Sequence, residues 1–409
     1  MIEWAVLWEW LSFAVRWAHV VAAIGWIGTS FYFIALDLGL RKPPNLPTGV
    51  GGEEWQVHGG GFYHVQKYMV APPSLPEHLT WFKWESYATW LTGFAMLCVV
   101  YYASAELYLI DRKVLDVEPS VAIAISIGSL AIGWLLYDGL CRSPIGKSDT
   151  GLMLVLYVLL VAMAWGYTQV FTGRAAFLHL GAFVATIMSA NVFLTIIPNQ
   201  KKVVTALLAN KTPEAYLGAQ AKQRSLHNNY LTLPVIFLML SMHNPLAFAS
   251  DLNWVIVALV FLIGVAIRHY FNTYHRSKRV LLWTWGVAIL LLGVIAWIST
   301  IDLSRPADKT ASFTVSSRHQ RLAESVHFDA VEEIVTSHCS MCHAAEPLWD
   351  GIRVPPKNVV LEDTEQILHQ AYEIYLQAGI SKAMPPAGVV DLEPSDRKIL
   401  IQWYRGADG

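Results

Sequence analysis

Charge is scarce in this chain. Of its 409 residues only 15% are Asp, Glu, Lys or Arg, against 55% hydrophobic, and the mean hydropathy is +0.40. That balance argues against a soluble globular protein and for one that lives in a membrane. Cysteine is scarce as well: there are four, and two of them, Cys98 and Cys141, read as apolar core residues with no disulfide assigned. No two histidines are adjacent, which removes the simplest copper site of a respiratory oxidase. There is no clear internal repeat and no low-complexity tract. No cleavable signal peptide is visible, so the first apolar run is expected to serve as an uncleaved anchor. No nucleic-acid partner is expected.

The other two cysteines carry the strongest signal. Residues Cys339-Ser340-Met341-Cys342-His343 spell C-x-x-C-H, the attachment motif of a c-type haem. Two thiols three positions apart on one turn can bond the two vinyl groups of one porphyrin, and His343 is then held beneath the ring as an iron ligand. A zinc site built from His338, Cys339, Cys342 and His343 is the rival. Zinc usually takes two separated ligand pairs, and the chain has no second Cys/His pair beyond this one. Some forty residues on it has Met384-Pro385-Pro386 instead. A thioether opposite histidine is a good haem ligand, and prolines stiffen the loop presenting it, so Met384 is assigned as the second axial ligand. With a helix over 329–337 and a closing helix over 394–405 carrying Trp403 and Tyr404, residues 326–409 resemble a class I cytochrome c. Haem c is attached outside the bacterial cytoplasmic membrane, so this domain is predicted to be periplasmic. From residue 320 onward it is acidic, with 14 Asp/Glu against 7 Lys/Arg.

Apolar runs near twenty residues mark membrane spans. Eight are predicted, near 10–36, 85–110, 120–141, 151–171, 175–197, 229–249, 254–275 and 280–301. Residues 1–301 thus form an all-α polytopic bundle of eight transmembrane helices, and the polar stretch 302–325 is a linker. An even number puts both termini on one side, and the connections on the other side should hold the basic residues. They do: fourteen Lys/Arg (Arg41, Lys42, Lys67, Lys83, Arg142, Lys147, Lys201, Lys202, Lys211, Lys222, Arg224, Arg276, Lys278, Arg279) stand against Arg112, Lys113 and Arg174. The expected location is the bacterial inner membrane, with the N-terminus and haem domain periplasmic.

One cytoplasmic connection, 37–83, is long. Alternating runs around Gly59-Gly60-Gly61 predict a β-hairpin, and a long structured loop on a rigid scaffold tends to carry function.

Ionisable groups within spans mark function. Those groups are His19, His179 and His243 in the periplasmic half, His269 and His227 toward the cytoplasm. Any one histidine could simply be a hydrogen-bonded packing residue. Together they suggest ligands to one or two b-type haems, since a hydrocarbon core about 30 Å thick is too far for one efficient tunnelling step. The outer haem would draw on His19, His179 and His243. An inner one would draw on His269 and His227, with His64 as a further candidate. Arg16 and Arg268 either neutralise a propionate or bound anion, or snorkel to the interface. Asp138 and Asn191 are embedded polar groups without an assigned role.

The Arg16-Trp17-Ala18-His19 span, the Gly59-to-His64 hairpin, the Trp81-Phe82-Lys83-Trp84-Glu85 stretch, the eight spans and the C-terminal cytochrome together resemble the bacterial membrane-bound urate oxidase (urate hydroxylase) family. The resemblance implies oxidation of urate to 5-hydroxyisourate. Electrons would pass through membrane haem to the covalent haem c and on to a periplasmic cytochrome c or terminal oxidase, without hydrogen peroxide. Urate is a planar anion, so its pocket should offer Arg or Lys, amides and an aromatic face. Purine breakdown is cytoplasmic, which places that pocket under the hairpin. His64, Lys67 and Glu85 are the catalytic candidates, with His269 and Asn272 beside them. The alternative is a non-catalytic electron conduit, such as a quinol-to-cytochrome c subunit.

Overall fold

The computed structural model describes residues 4–68, 72, 74–111, 114–248, 250, 252–299, 317–349, 355–356, 359–380, 384–385 and 392–406. Most of the predicted linker lies outside them, as do Lys382, Ala383 and Pro386 beside Met384.

Helices dominate. The N-terminal helical part comprises α1 (Trp4–Gly39), α2 (Trp84–Met96), α3 (Pro119–Arg142), α4 (Asp149–Thr168), α5 (Gly173–Ala190), α6 (Ile197–Leu208), α7 (Ala215–Ser241), α8 (Asn253–Ser277) and α9 (Leu282–Ile298). Ser148 and Thr172 start α4 and α5 by accepting backbone N–H bonds from Gly151 and Ala175, which satisfies donors that a helix start leaves over. Among the described residues five helical stretches are long and apolar enough to cross a membrane: 6–39, 119–142, 149–168, 173–208 and 253–277. The apolar α9 is shorter, at 17 residues. Large apolar side chains such as Trp17, Ile24, Leu135 and Ile289 face outward, as a lipid-facing surface would.

α5 is the central helix and touches α2, α3, α4 and α7. It approaches α3 so closely that a Cβ on Gly133 would lie 2.0 Å from the Phe183 ring. α2 continues through a π-helical turn, Leu97–Tyr102, and α5 runs into α6 through another, Asn191–Ile196. Single π turns inside helices often mark functional sites.

Two boundaries differ most from the sequence reading. α7 begins at Ala215, four turns before the apolar run that predicted it, and the 175–197 span continues to Leu208. Arg224, counted with the cytoplasmic loop, therefore lies inside α7 and is 0% exposed. The apolar window misses that half of α7 because its outward face is polar. Without Arg224 the asymmetry of basic residues is thirteen against three.

The hairpin forms as predicted. β1 (Val50–His58) pairs antiparallel with β2 (Gly61–Tyr68), Trp55 opposite His64. Gly59 and Gly60 make the two-residue turn at φ 59° and 80°, a region that a tight hairpin turn demands and glycine occupies without strain. The strands sit on the end of α1. The Tyr32 hydroxyl donates to Gln56 Oε1 at 2.6 Å, Lys67 pairs with Asp37 at 2.5 Å, and a Cβ on Gly52 would lie 2.9 Å from Leu40.

The C-terminal part packs α10 (Phe328–His338) against α11 (Pro394–Gly406) around Val331, Val335, Ile367, Leu400 and Trp403. Trp403 is fully buried, and its indole N–H donates to the Leu322 carbonyl at 2.9 Å. This domain rests on the opposite end of the bundle from the hairpin. The Tyr108 hydroxyl donates to Glu373, and Leu376 and Ile380 face Val6, Trp10 and Phe13 of α1 across a cavity of about 420 Å³.

Candidate functional site

Three groups of side chains can do chemistry, one at each end of the bundle and one inside it. At the C-terminal end, the turn after α10 brings the thiols of Cys339 and Cys342 to neighbouring positions. The His343 and Cys342 N–H groups both donate to the Cys339 carbonyl, at 2.9 and 3.1 Å. Neither cysteine is in a disulfide. His343 Nδ1 donates to the Val359 carbonyl at 2.9 Å, which makes Nε2 the nitrogen carrying the lone pair. A backbone bond of this kind orients an imidazole for ligation. Met384 donates its N–H to Gln377 at 2.9 Å, and its carbonyl accepts from Arg397 Nη1 at 3.0 Å. Arg397 thus ties the methionine loop to α11, a role the sequence gives no hint of. These residues fit a covalent haem. Among the described residues no three His, Cys, Asp or Glu gather as a metal site. His338 Nδ1 turns to its own helix, bonding the Ile334 carbonyl at 3.0 Å.

The five membrane histidines are placed unequally. His179 is fully buried on α5 among Tyr101, Tyr167 and Phe171. Its Nδ1 donates to the Ala175 carbonyl at 2.8 Å, and its Nε2 has no hydrogen-bond partner among the described residues. His19 is half-buried on α1, with Nδ1 3.0 Å from the Thr89 carbonyl of α2 and its ring over Gly93, where a Cβ would lie 2.9 Å away. Both imidazoles therefore keep Nε2 as the lone-pair nitrogen, the tautomer a haem ligand needs. His243, just beyond α7, and His269, on α8 beside Trp283, are exposed. His227 is buried, with Nδ1 bonded to the Tyr137 hydroxyl at 2.7 Å.

Inside the bundle, toward the hairpin end, lies a polar network that sequence reasoning missed. Arg224 Nη2 donates to Asp138 Oδ1 at 2.6 Å, and its guanidinium lies 4.8 Å over the Tyr137 ring. Asn191, at the π turn, donates to the Tyr137 hydroxyl and to Asn228 at 3.1 and 3.0 Å. Asp138 also holds Arg142 at 2.6 Å.

A second cluster sits between α1, α7 and α8. Arg268 is 6% exposed, so it does not snorkel. Its Nε and Nη2 donate to Asn229 and Asn272 at 3.2 and 3.1 Å, Asn272 donates to Asn229 at 3.1 Å, and Phe31 lies 4.2 Å from the guanidinium. The spacing Arg268–Asn272 on one helix face was the available signal. Above it, a cleft of about 630 Å³ opens between α1, the hairpin and the end of α8, lined by Tyr32, Arg41, Lys42, Trp55, His275 and Lys278 among others.

The catalytic candidates are not gathered. His64 sits behind Glu53 and Trp55, which line the cleft; it bonds the Glu53 carboxylate at 2.8 Å and stacks on the Trp55 ring at 4.2 Å. The bonds from His64 and then Gln66 hold the Glu53 carboxyl below its ordinary range. Lys67 is committed to Asp37. Glu85 is half-buried in the first turn of α2, where a carboxylate favours the helix dipole. Among the described residues no hydrogen bond or ion pair joins His64, Lys67 and Glu85 to one another.

The model of the urate oxidase N-terminal family matches residues 5–299, nearly all of the chain from α1 to α9. The chain belongs to that family. Membership points to an oxidoreductase with urate as its substrate. Comparison with curated proteins and with solved structures gives no match.

Proposed function

We propose that this protein oxidises urate to 5-hydroxyisourate at the hairpin end of its bundle and delivers the electrons to a haem c at the other end. The observation that carries the reading is the family match over residues 5–299. In the balanced reaction a water oxygen bonds to the purine C5, and two electrons and two protons leave. Oxygen is not the acceptor, so no hydrogen peroxide forms.

A haem c, held by Cys339, Cys342, His343 Nε2 and Met384, would supply one-electron acceptance. His19 and His179 are the best-suited pair for one b-type haem between the two ends; their tautomers favour it, while the exposure of His243 and His269 argues against them. α1, α2 with its π turn, α3, α4, α5, α7, α8 and α9 are the eight proposed passes. Arg41, Lys42, Arg142, Lys147, Lys201, Lys202, Arg276, Lys278 and Arg279 cluster at the loops and helix ends assigned to the hairpin side. That side is therefore proposed as cytoplasmic in a bacterial inner membrane, and the haem domain as periplasmic. A periplasmic cytochrome c or terminal oxidase would take the electrons onward. Of the catalytic candidates, His64 would act through Glu53 and Trp55 at the cleft wall, while Lys67, paired with Asp37, and Glu85 do not line the cleft.

The test is anaerobic addition of urate to the purified protein. Urate is expected to bring up the absorption bands of reduced haem c. If only dithionite or a quinol does so, the reading fails, and a quinol-driven conduit replaces it. A pyridine haemochrome spectrum counts the non-covalent haem separately.

A further inference from the structure

A buried guanidinium costs several kcal/mol of desolvation unless an opposite charge offsets it. Arg268 has no such partner: among the described residues no carboxylate forms an ion pair with it. Its neighbours are neutral, two asparagine amides and the Phe31 ring. The adjacent amide is unfinished as well. Asn229 is 0% exposed, and its Oδ1 already accepts from Arg268 and Asn272, so its orientation is set and its Nδ2 is left as a buried donor without a partner among the described residues. An uncompensated cation, a buried amide donor and an aromatic face together ask for one kind of occupant. It must be flat and anionic, with acceptors along one edge.

We propose that Arg268, Asn229, Asn272 and Phe31 form the site that takes the purine anion, which rests on the urate reading above. The approach suits it. Arg268 lies seven residues before His275 on α8, about 10 Å deeper than the cleft wall, and Phe31 adjoins the cleft residue Tyr32 on α1. The basic residues Arg41, Lys42 and Lys278 at the cleft would draw an anion toward it. A haem propionate is the weaker occupant. The buried histidine whose Nε2 has no hydrogen-bond partner among the described residues, His179, lies beside Phe171, which bridges Ile110 at the end where the haem domain docks. A lipid phosphate would need a site at the outer surface, and this one faces α7.

Binding of radiolabelled urate to the full-length protein tests the site, with the haem reduced beforehand by dithionite so that bound urate is not consumed. Arg268→Gln is expected to weaken urate binding roughly 30- to 100-fold, the loss of charge-assisted hydrogen bonds in a buried site. Asn229→Asp guards against misfolding. Its carboxylate still accepts from Arg268 and Asn272 but neutralises the cation internally, so the variant should fold as wild type and still lose urate by a similar factor. Wild-type urate affinity in either folded variant overturns the site. Loss of non-covalent haem in step with loss of urate overturns it too, in favour of a propionate. If wild-type protein neither binds urate nor passes its electrons to haem c, the functional reading falls with the site; if wild type does both and the variants match it, only the site falls.

Discussion

Arg224 and Arg268 lie on neighbouring helices, each about nine residues from the hairpin-side end of its helix, and both are out of water. Arg224 meets Asp138 at 2.6 Å, and Asp138 meets Arg142 at the same distance. Among the described residues Arg268 meets amides and a ring and no carboxylate pairs with it. The consecutive asparagines between them divide the labour: Asn228 joins the Arg224 network through Asn191, while Asn229 joins Arg268. One buried charge is neutralised by the protein and serves its structure. The other is left for something that binds, and stability that an internal carboxylate would supply is given up for function.

The comparison can be broken from the stability side. Asp138→Ala leaves Arg224 as an uncompensated buried cation and should destabilise the fold most, by about 3–5 kcal/mol. Thermal unfolding in detergent measures it, and a shift no larger than a surface substitution gives would show that the pair is not structural. Arg268→Met should cost less, no more than about 1–2 kcal/mol, because it removes a desolvated charge and strands the Asn272 amide oxygen rather than an opposite charge. A large destabilisation there would mean that Arg268 is structural after all. The smallest effect belongs to the exposed pair Glu53–His64. The folded-state pKa of Glu53 is depressed, chiefly by the His64 bond. Its contribution is therefore present above the unfolded carboxylate value and lost as pH falls through the folded one. The protection of the hairpin amides, measured relative to the intrinsic exchange rate at each pH, should fall as pH drops below the ordinary carboxylate range, and Glu53→Gln should flatten that dependence.

Much of this architecture is legible in the sequence, for reasons that differ by region. The C-x-x-C-H turn and the Gly59-Gly60 hairpin are local devices, written in consecutive residues. The apolar runs show because a helix facing lipid has no other way to look. α7 hides its first half because that half faces water on one side and a polar core on the other, so neither hydropathy nor alternation marks it. Arg224, His227 and Asn228 recur at helical spacing there, a stripe that a loop would not need. Asp138, Asn191 and Tyr137 join it only through tertiary contact. The partners of Arg268 come from three helices, and the absence of an acid beside it among the described residues is a fact no linear reading contains.

The most direct test of the unequal arginines is the apparent Tm of the reduced protein with and without urate. A ligand that binds only the folded state stabilises it by about 2.7 kcal/mol at a hundred times its Kd. Urate is expected to raise the Tm of wild type and of Asp138→Ala alike, and to leave Asn229→Asp unmoved. A urate-induced rise in Asn229→Asp equal to that of wild type would contradict the account.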